Sequence, residues 1–475
     1  MNPRDKLSIL SDKLQGISLD SIARTRILEL LDEDTFVELD AFASTSGEGA
    51  GVITGYGLIE GGGVYVFSQD VAINSGAVDR VHAKKIKKVY DMAALTGLPV
   101  IGIYDSNGAK LDDVPEALNS YGAMLSAANK ISGVVPQVSL ILGTCAGTAA
   151  IVACGADIIV MNENAELFLN APKVVENSGQ PRDGAGSAEN AARSGVAHII
   201  AESEMEAIAR TRDVVSFLPQ NNLSAVPEID YDDPEDVDKY LEDCCNNIEA
   251  VSFKEIIPLI ADQDNLIYLS EYYGENVTVA LGTIYGTTVM IIGADATLGL
   301  DECNKIAYFV NMADGFSIPV ITFVNTDGFS NLIRDELAGS IRQASKLAHV
   351  YANSTTQKVS VITGKAYGSA YIALAGKGSG ADLVLSWPSA IISALYPTTA
   401  VAFLAGDRIT SEMSREEAEE DYKVTDASPF VYASQGYVDS VINPADTRQA
   451  IGDALDMLAG KRVNELSRKH INIPF

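Results

Sequence analysis

Residues 138–160, VSLILGTCAGTAAIVACGADIIV, run from an apolar strand through a Gly-Thr-Cys-Ala-Gly-Thr-Ala turn into a helix of small residues, then into a second apolar strand. A near copy stands at 359–385, VSVITGKAYGSAYIALAGKGSGADLVL, with Gly147 and Gly368 matched at an offset of 221 residues. A second pair precedes these, LPVIGIYDSNGA at 98–109 and IPVITFVNTDGF at 318–329, offset by 220. Two separate segments repeating at offsets within one residue make the chain a tandem duplication of one α/β domain. Each copy ends a strand on a glycine turn, and in the first copy Gly147 follows Gly108 by 39 residues. Turns at the ends of neighbouring strands aim their backbone N–H groups at one point. That is oxyanion-hole geometry, expected once per copy.

Composition agrees with two large domains: 475 residues, 47% of them hydrophobic, are enough for two cores. The expected boundaries are a first domain over 1–228, an acidic connector over 229–245 and a second domain over 246–475. No apolar run reaches the length of a membrane-spanning helix and MNPRDKLSIL is not a secretion signal, so a soluble, cytoplasmic protein is expected. A net charge of −30 argues against a nucleic-acid binder, which needs a basic surface. The stretch EIDYDDPEDVDKYLED at 228–243 reads as a solvated connector. Cys145, Cys154, Cys244, Cys245 and Cys303 have neither zinc nor disulfide spacing; all five are expected as buried, reduced thiols, with no metal site.

Along the chain, residues 1–45 read as one or two helices ending in a Thr-Phe-Val strand. Residues 47–70 alternate into a hairpin bent at Glu-Gly-Gly-Gly. Helices are predicted over 81–94, 115–131 and 203–216, strands over 100–104 and 167–169. The second half repeats the order, with a hairpin over 278–294, helices over 301–312 and 332–352, a strand over 320–324, and a final amphipathic helix over 447–466. Strands alternating with helices specify βαβ units with largely parallel sheets.

Only four histidines exist, His82, His198, His349 and His470, and none lies in a glycine turn. No nucleophile elbow, Walker loop or dinucleotide fingerprint is present. Any chemistry therefore rests on backbone donors, which suit an enolate; each such donor is worth roughly 2.7–4 kcal/mol. The candidate amides are Gly108 or Ala109 with Gly147 or Thr148 in the first copy. In the second they are Gly328 or Phe329 with Gly368, Ser369 or Ala370, and Tyr367 stands beside them. Lys84, Lys85 and Lys88 form the one basic cluster, HAKKIKK, a candidate for phosphates. Lys110 and Lys365 flank the turns and are placed to steer a carboxylate, exposed lysine being the plain alternative.

These segments resemble the carboxyltransferase components of biotin-dependent enzymes: β subunits of acyl-CoA carboxylases such as propionyl-CoA carboxylase, and α subunits of sodium-pumping methylmalonyl-CoA and glutaconyl-CoA decarboxylases. The resemblance runs nearly end to end, through LLDEDTFVELDAF (30–42), VYVFSQD (64–70), HAKKIKK (82–88), TGLPVIGIYDSNGAK (96–110), LGTCAGTAA (142–150), LPQNN (218–222), IPVITFVNTDGF (318–329), ITGKAYGSAY (362–371), Trp387-Pro388 and GYVDSVINPADTR…RKHINIPF at the C-terminus. It implies two crotonase-like domains in a hexamer, the active site forming where the first domain of one subunit meets the second domain of another. It also implies acyl-CoA on the first domain and, on the second, biotin delivered by a biotin carboxyl carrier protein. By matching motif, Ala109, Gly147 and Thr148 would hold the thioester enolate; Gly368, Ser369 and Ala370, with Gly328 and Phe329, would hold the biotin ureido enolate. Against the family pattern, Asn107 and Thr148 replace glycines, Lys110 an arginine, Ala171 a glycine, Asp327 a proline, and Ile372 an aspartate associated with acyl-chain preference.

The reading favoured is a carboxyltransferase acting on a short acyl-CoA. Its partner is a biotin carboxylase subunit if it carboxylates, or sodium-pumping decarboxylase subunits if it decarboxylates. Compactness and the lack of an N-terminal extension lean toward the second. Two others stand beside it: an acyl-CoA-binding assembly subunit without catalysis, and a crotonase-type hydratase using Asp112 and Asp113.

Overall fold

The structure, a computed structural model, describes residues 3–15, 20–44, 49–110, 114–170, 172–179, 184–235, 237–374, 376–404, 406–464, 469 and 472–474. Asp112, Asp113, Ala171 and His470 lie outside them, as do 47–48 of the expected hairpin and 465–466 of the expected final helix. The chain divides into two compact units, Met1–Ala225 and Val226–Phe475.

In the first unit the strands are β1 (Val37–Leu39), β2 (Val52–Ile59), β3 (Gly62–Gln69), β4 (Val100–Ser106), β5 (Gln137–Ala146), β6 (Ile158–Asn162), β7 (Glu166–Phe168) and β8 (Ile199–Ala201). They form one sheet in the order β1-β2-β3-β4-β5-β6-β8, with β7 pairing the far end of β5. β1 to β3 are antiparallel, and from β3 onward the pairs are parallel. The second unit repeats this with β9 (Leu266–Tyr268), β10 (Val277–Ile284), β11 (Thr287–Leu298), β12 (Val320–Phe329), β13 (Lys358–Tyr367), β14 (Leu383–Ser386), β15 (Ile391–Ser393) and β16 (Ser440–Val441). Its order is β16-β14-β13-β12-β11-β10-β9, with β15 on β13. The parallel strands are covered by helices on their faces, which is why they read as continuous apolar runs rather than alternating ones.

Both hairpins close on a two-residue turn with positive φ, Glu60-Gly61 (49° and 79°) in the first unit and Tyr285-Gly286 (50° and 76°) in the second. That turn has the twist that a right-handed strand pair requires. The helix after each hairpin carries a lysine turned into the protein. Lys85 Nζ donates to Val52 O (2.9 Å) and Lys305 Nζ to Val277 O (2.6 Å), each time at the first residue of the hairpin.

Burial lowers the Lys305 pKa to about 8, against 10.5 in the unfolded chain. Between those values the unfolded chain binds the extra proton, so raising the pH favours the fold. The cost of holding the charge, about 3 kcal/mol, is felt in full below pH 8 and is gone by about 10.5. The stability of the wild type relative to Lys305→Met is therefore expected to improve as the pH rises from 8 to 10. Thermal unfolding of both across that range checks it, and a constant difference would contradict it.

Four expectations are corrected. The helix expected over 332–352 is two, Ile333–Leu337 and Ser340–Asn353, because Gly339 at φ 88° takes a left-handed conformation that breaks the helix. The final helix stops at Leu458; beyond it Lys461 Nζ bonds Thr356 O (2.6 Å) and Asp382 (2.7 Å), drawing the chain aside. Residues 229–245 are not a loose connector. Ile229 N–H donates to Gly286 O (2.9 Å), Asp233 pairs with Arg448 (2.7 Å), and helix Val237–Asn246 buries Leu241, so the stretch packs within the second unit. The cysteines are all free thiols, but Cys154 is exposed and Cys245 half-buried. Among the described residues no helix is long and apolar enough to cross a membrane, and no group of side chains could hold a metal ion.

Candidate functional site: paired glycine turns

β4 ends in a bulge opposite β5, between Tyr104 and Ser106. The Ser106 hydroxyl donates to Gly76 O (2.7 Å) and accepts from Gly108 N–H (3.1 Å), which folds the chain back at Gly108, φ 103°. Val78 N–H donates to Gly108 O (2.9 Å) and Lys110 N–H to Val78 O (3.0 Å). Groups alternate along an extended backbone, so the Ala109 N–H between them points the other way. The turn itself lies beside the end of β5, since a methyl group on Gly108 would lie 3.6 Å from Ala146 O. The next residue, Gly147 (φ 66°, ψ −128°), is the N-cap of helix Thr148–Ala153. Its own N–H is engaged by Phe168 O (2.8 Å) on β7. Of the two amides considered for this turn, that leaves Thr148, whose N–H has no acceptor inside the helix.

The second unit builds the same object. β12 bulges opposite β13 between Val324 and Thr326, the Thr326 hydroxyl donates to Ala296 O, and Gly328 N–H (φ 107°) donates back to it (3.1 Å). Ser330 N–H donates to Leu298 O (2.8 Å), so Phe329 N–H points away from β11 as Ala109 does from Val78. A methyl group on Gly328 would lie 3.7 Å from Tyr367 O, and Gly368 follows at φ 58°. Counting 220 from Ala109 and 221 from Thr148 gives Phe329 and Ser369. A cavity of about 420 Å³ opens on this pair, its wall including Leu298, Phe329, Ile341, Ser369 and Ile372. A larger one of about 940 Å³ lies away from the turns, between helix Pro3–Gln15 and the first hairpin, and Lys85 lines it.

The flanking lysines Lys110 and Lys365 are both half-buried. Lys365 pairs with Asp327 and Glu249, both at 3.3 Å; burial works against its charge, but the two carboxylates prevail and raise its pKa. HAKKIKK does not form one basic face, since helix geometry puts Lys84 in solvent, Lys85 inside, and Lys88 against Asp40 (2.8 Å). His82 and His198 are fully buried, which lowers their pKa values to about 3 and about 4 and keeps them neutral. The sequence reading missed Ser106, Thr326 and Val78, which shape the turns; the Ser106/Thr326 match at offset 220 was the available signal.

The carboxyl transferase domain family matches residues 20–473. The chain belongs to that family. Among its relatives, methylmalonyl-CoA decarboxylase subunit alpha of Propionigenium modestum is 36% identical, covering 95% of this chain and 93% of the relative. Propionyl-CoA carboxylase beta chain of Saccharopolyspora erythraea is also 36% identical, over 95% and 90%. Of solved structures, the hexameric transcarboxylase 12S with methylmalonyl-CoA bound superposes with a TM-score of 0.93 at 31% identity over 100% of both chains. A carboxyl transferase of this family has two crotonase-like α/β units, as the duplicated sheets here do, and the expected family and fold are both met.

Proposed function

We propose that this carboxyl transferase moves a carboxyl group between carrier-bound biotin and the α-carbon of a short-chain acyl-CoA. The observation that carries the reading is the repeated turn pair: Ala109 and Thr148 in one unit, Phe329 and Ser369 in the other, each pair offering two main-chain N–H groups. The first pair is assigned to the thioester oxygen, because removing or adding a carboxyl at the α-carbon leaves negative charge there in the transition state. Fixed amides meet that charge without reorganising, and they keep their N–H at any working pH. The second pair is assigned to the ureido oxygen of biotin. The cavity beside it joins apolar walls at Leu298, Ile341 and Ile372 to hydroxyls at Ser330, Ser340, Ser345 and Ser369 and the Glu336 carboxylate, a mixture that suits a small neutral bicyclic urea with N–H donors and an oxygen acceptor. When bound, biotin supplies the carboxyl group and the base for the α-proton, consistent with His82 and His198 being buried and neutral. Biotin carboxyl carrier protein, a biotin carboxylase or sodium-pumping decarboxylase partner, and a homo-hexamer complete the proposal.

Lys84 and Lys88 reach solvent and are assigned to the CoA phosphates. Lys84→Ala is expected to raise KM for the thioester roughly 2- to 5-fold with kcat unchanged, the size of an exposed ion contact, and steady-state kinetics checks it.

The deciding experiment mixes the purified protein with free biotin and, separately, malonyl-, methylmalonyl- and glutaconyl-CoA, and follows the thioesters by mass spectrometry. Biotin-dependent loss of CO2 from one of them supports the reading and names the substrate class. Tight acyl-CoA binding without turnover of any would replace it with the assembly-subunit reading.

A further inference from the structure

The two turn pairs differ in what braces them. In the second unit the residue before Thr326 is Asn325, whose Oδ1 accepts Lys365 N–H (3.0 Å) and whose Nδ2 donates to Ile248 O (3.2 Å). At the matching position of the first unit stands an acid, Asp105, 8% exposed. Both side chains lie against β5 or β13 at a glycine. A methyl group on Gly143 would sit 2.1 Å from Asp105 Oδ1, and one on Gly364 2.3 Å from Asn325 Oδ1. Asp105 is thus wedged between the two strands whose ends form the first turn pair, one residue before Ser106 and four before Ala109.

A carboxylate there is the wrong sign for a site that collects negative charge. It is met by Arg26, which reaches from helix Ile22–Leu30. Arg26 is 3% exposed, donates from one terminal nitrogen to Asp105 Oδ2 (2.9 Å), and holds Glu204 through its other two nitrogens (2.7 and 3.0 Å). Glu204 is 37% exposed, so water screens its charge, while Asp105 and Arg26 lie inside. Burial opposes the guanidinium charge, yet the two carboxylates prevail and raise its pKa.

We propose that Arg26 is a positioning residue of the first turn pair: it cancels the Asp105 carboxylate, so that Ala109 and Thr148 face an oxygen anion without an opposing charge behind them, a result the second unit reaches by having Asn325 instead of an acid. The proposal rests on acyl-CoA binding at the first unit.

The test compares the affinities of two CoA ligands at pH 8 by calorimetry. One is S-carboxymethyl-CoA, which carries an anionic oxygen near the place of the thioester carbonyl; the other is neutral acetyl-CoA. Arg26→Met is expected to weaken the anionic ligand about 10-fold, the reach of one uncompensated charge at an effective dielectric near 20, with acetyl-CoA within about 2-fold of wild type. Arg26→Lys keeps the charge and is expected to keep the wild-type ratio. Asp105→Asn added to Arg26→Met is expected to restore it, an outcome that lost packing or lost hydrogen bonds would not give. Thermal unfolding of each variant separates stability from the ratio. An unchanged ratio in Arg26→Met, or a double variant as impaired as the single one, overturns the proposal. Failure of the wild type to bind either ligand overturns the acyl-CoA reading itself and this inference with it, and it is distinguishable because no variant is then needed to see it.

Discussion

Replacing Thr148 by proline is expected to lower biotin-dependent carboxyl transfer about 10²- to 10³-fold, the loss seen when one donor of an oxyanion site is removed. Proline deletes the N–H and little else here. Thr148 is the first residue of its helix, a position where proline is favoured because that N–H has no partner in the helix and proline's fixed φ suits a helical residue. Gly147 before it has no side chain to meet the ring. Thr148→Ala keeps the amide and is expected to stay within a few-fold of wild type, since the donor is main-chain. Turnover of the preferred thioester, with circular dichroism to show that the fold is kept, decides the matter. A proline variant with wild-type kcat would remove Thr148 from the site.

Trp387→Ala is expected to destabilise the second unit by about 3–5 kcal/mol, the range for removing a buried tryptophan. Trp387 is fully buried in the core between the sheet and the last helix. Its N–H to Ile362 O (2.8 Å) holds the end of β14 against β13. Its indole donates to the Thr447 hydroxyl (2.9 Å), and that hydroxyl in turn donates to Pro444 O (2.7 Å) at the start of helix Thr447–Leu458. One side chain therefore ties the sheet to the C-terminal helix. Because it is the sole tryptophan of the chain, wild-type fluorescence reports the unfolding of this unit alone. Denaturant unfolding of the variant, followed by circular dichroism, should show the early transition. A shift worth less than about 1 kcal/mol would mean that the helix is held by something else.

The duplication and the order of strands were legible because the constraints that shape them are local and repeat. Gly108 and Gly328 both need positive φ at a tight turn, and Val138–Ile141 and Val359–Ile362 are both buried on two faces. What the sequence could not convey is which partner each group takes. Nothing in Gly147 tells that its N–H goes to Phe168, so spacing left two amides open where the fold leaves one. Lys84 and Lys85 are adjacent and chemically alike; only the helix rotation and the position of Val52 send one to water and the other inside. Arg26 meets Asp105 across 79 residues and Glu204 across 178, distances at which periodicity carries no information. The helix break at Gly339 was visible as a glycine, but glycine inside a helical pattern is tolerated often enough that only the fold settles it.

The amides of Gly108, Gly147 and Gly328 are each engaged within the chain, the first and last by the hydroxyls of Ser106 and Thr326 and Gly147 by Phe168 O, so that the turns are locked by two hydroxyls together with main chain. A main-chain donor survives every exchange of its own side chain except one to proline. Side-chain changes at Asn107, Thr148 and Asp327 therefore leave these donors in place for as long as Ser106 and Thr326 keep their hydroxyls.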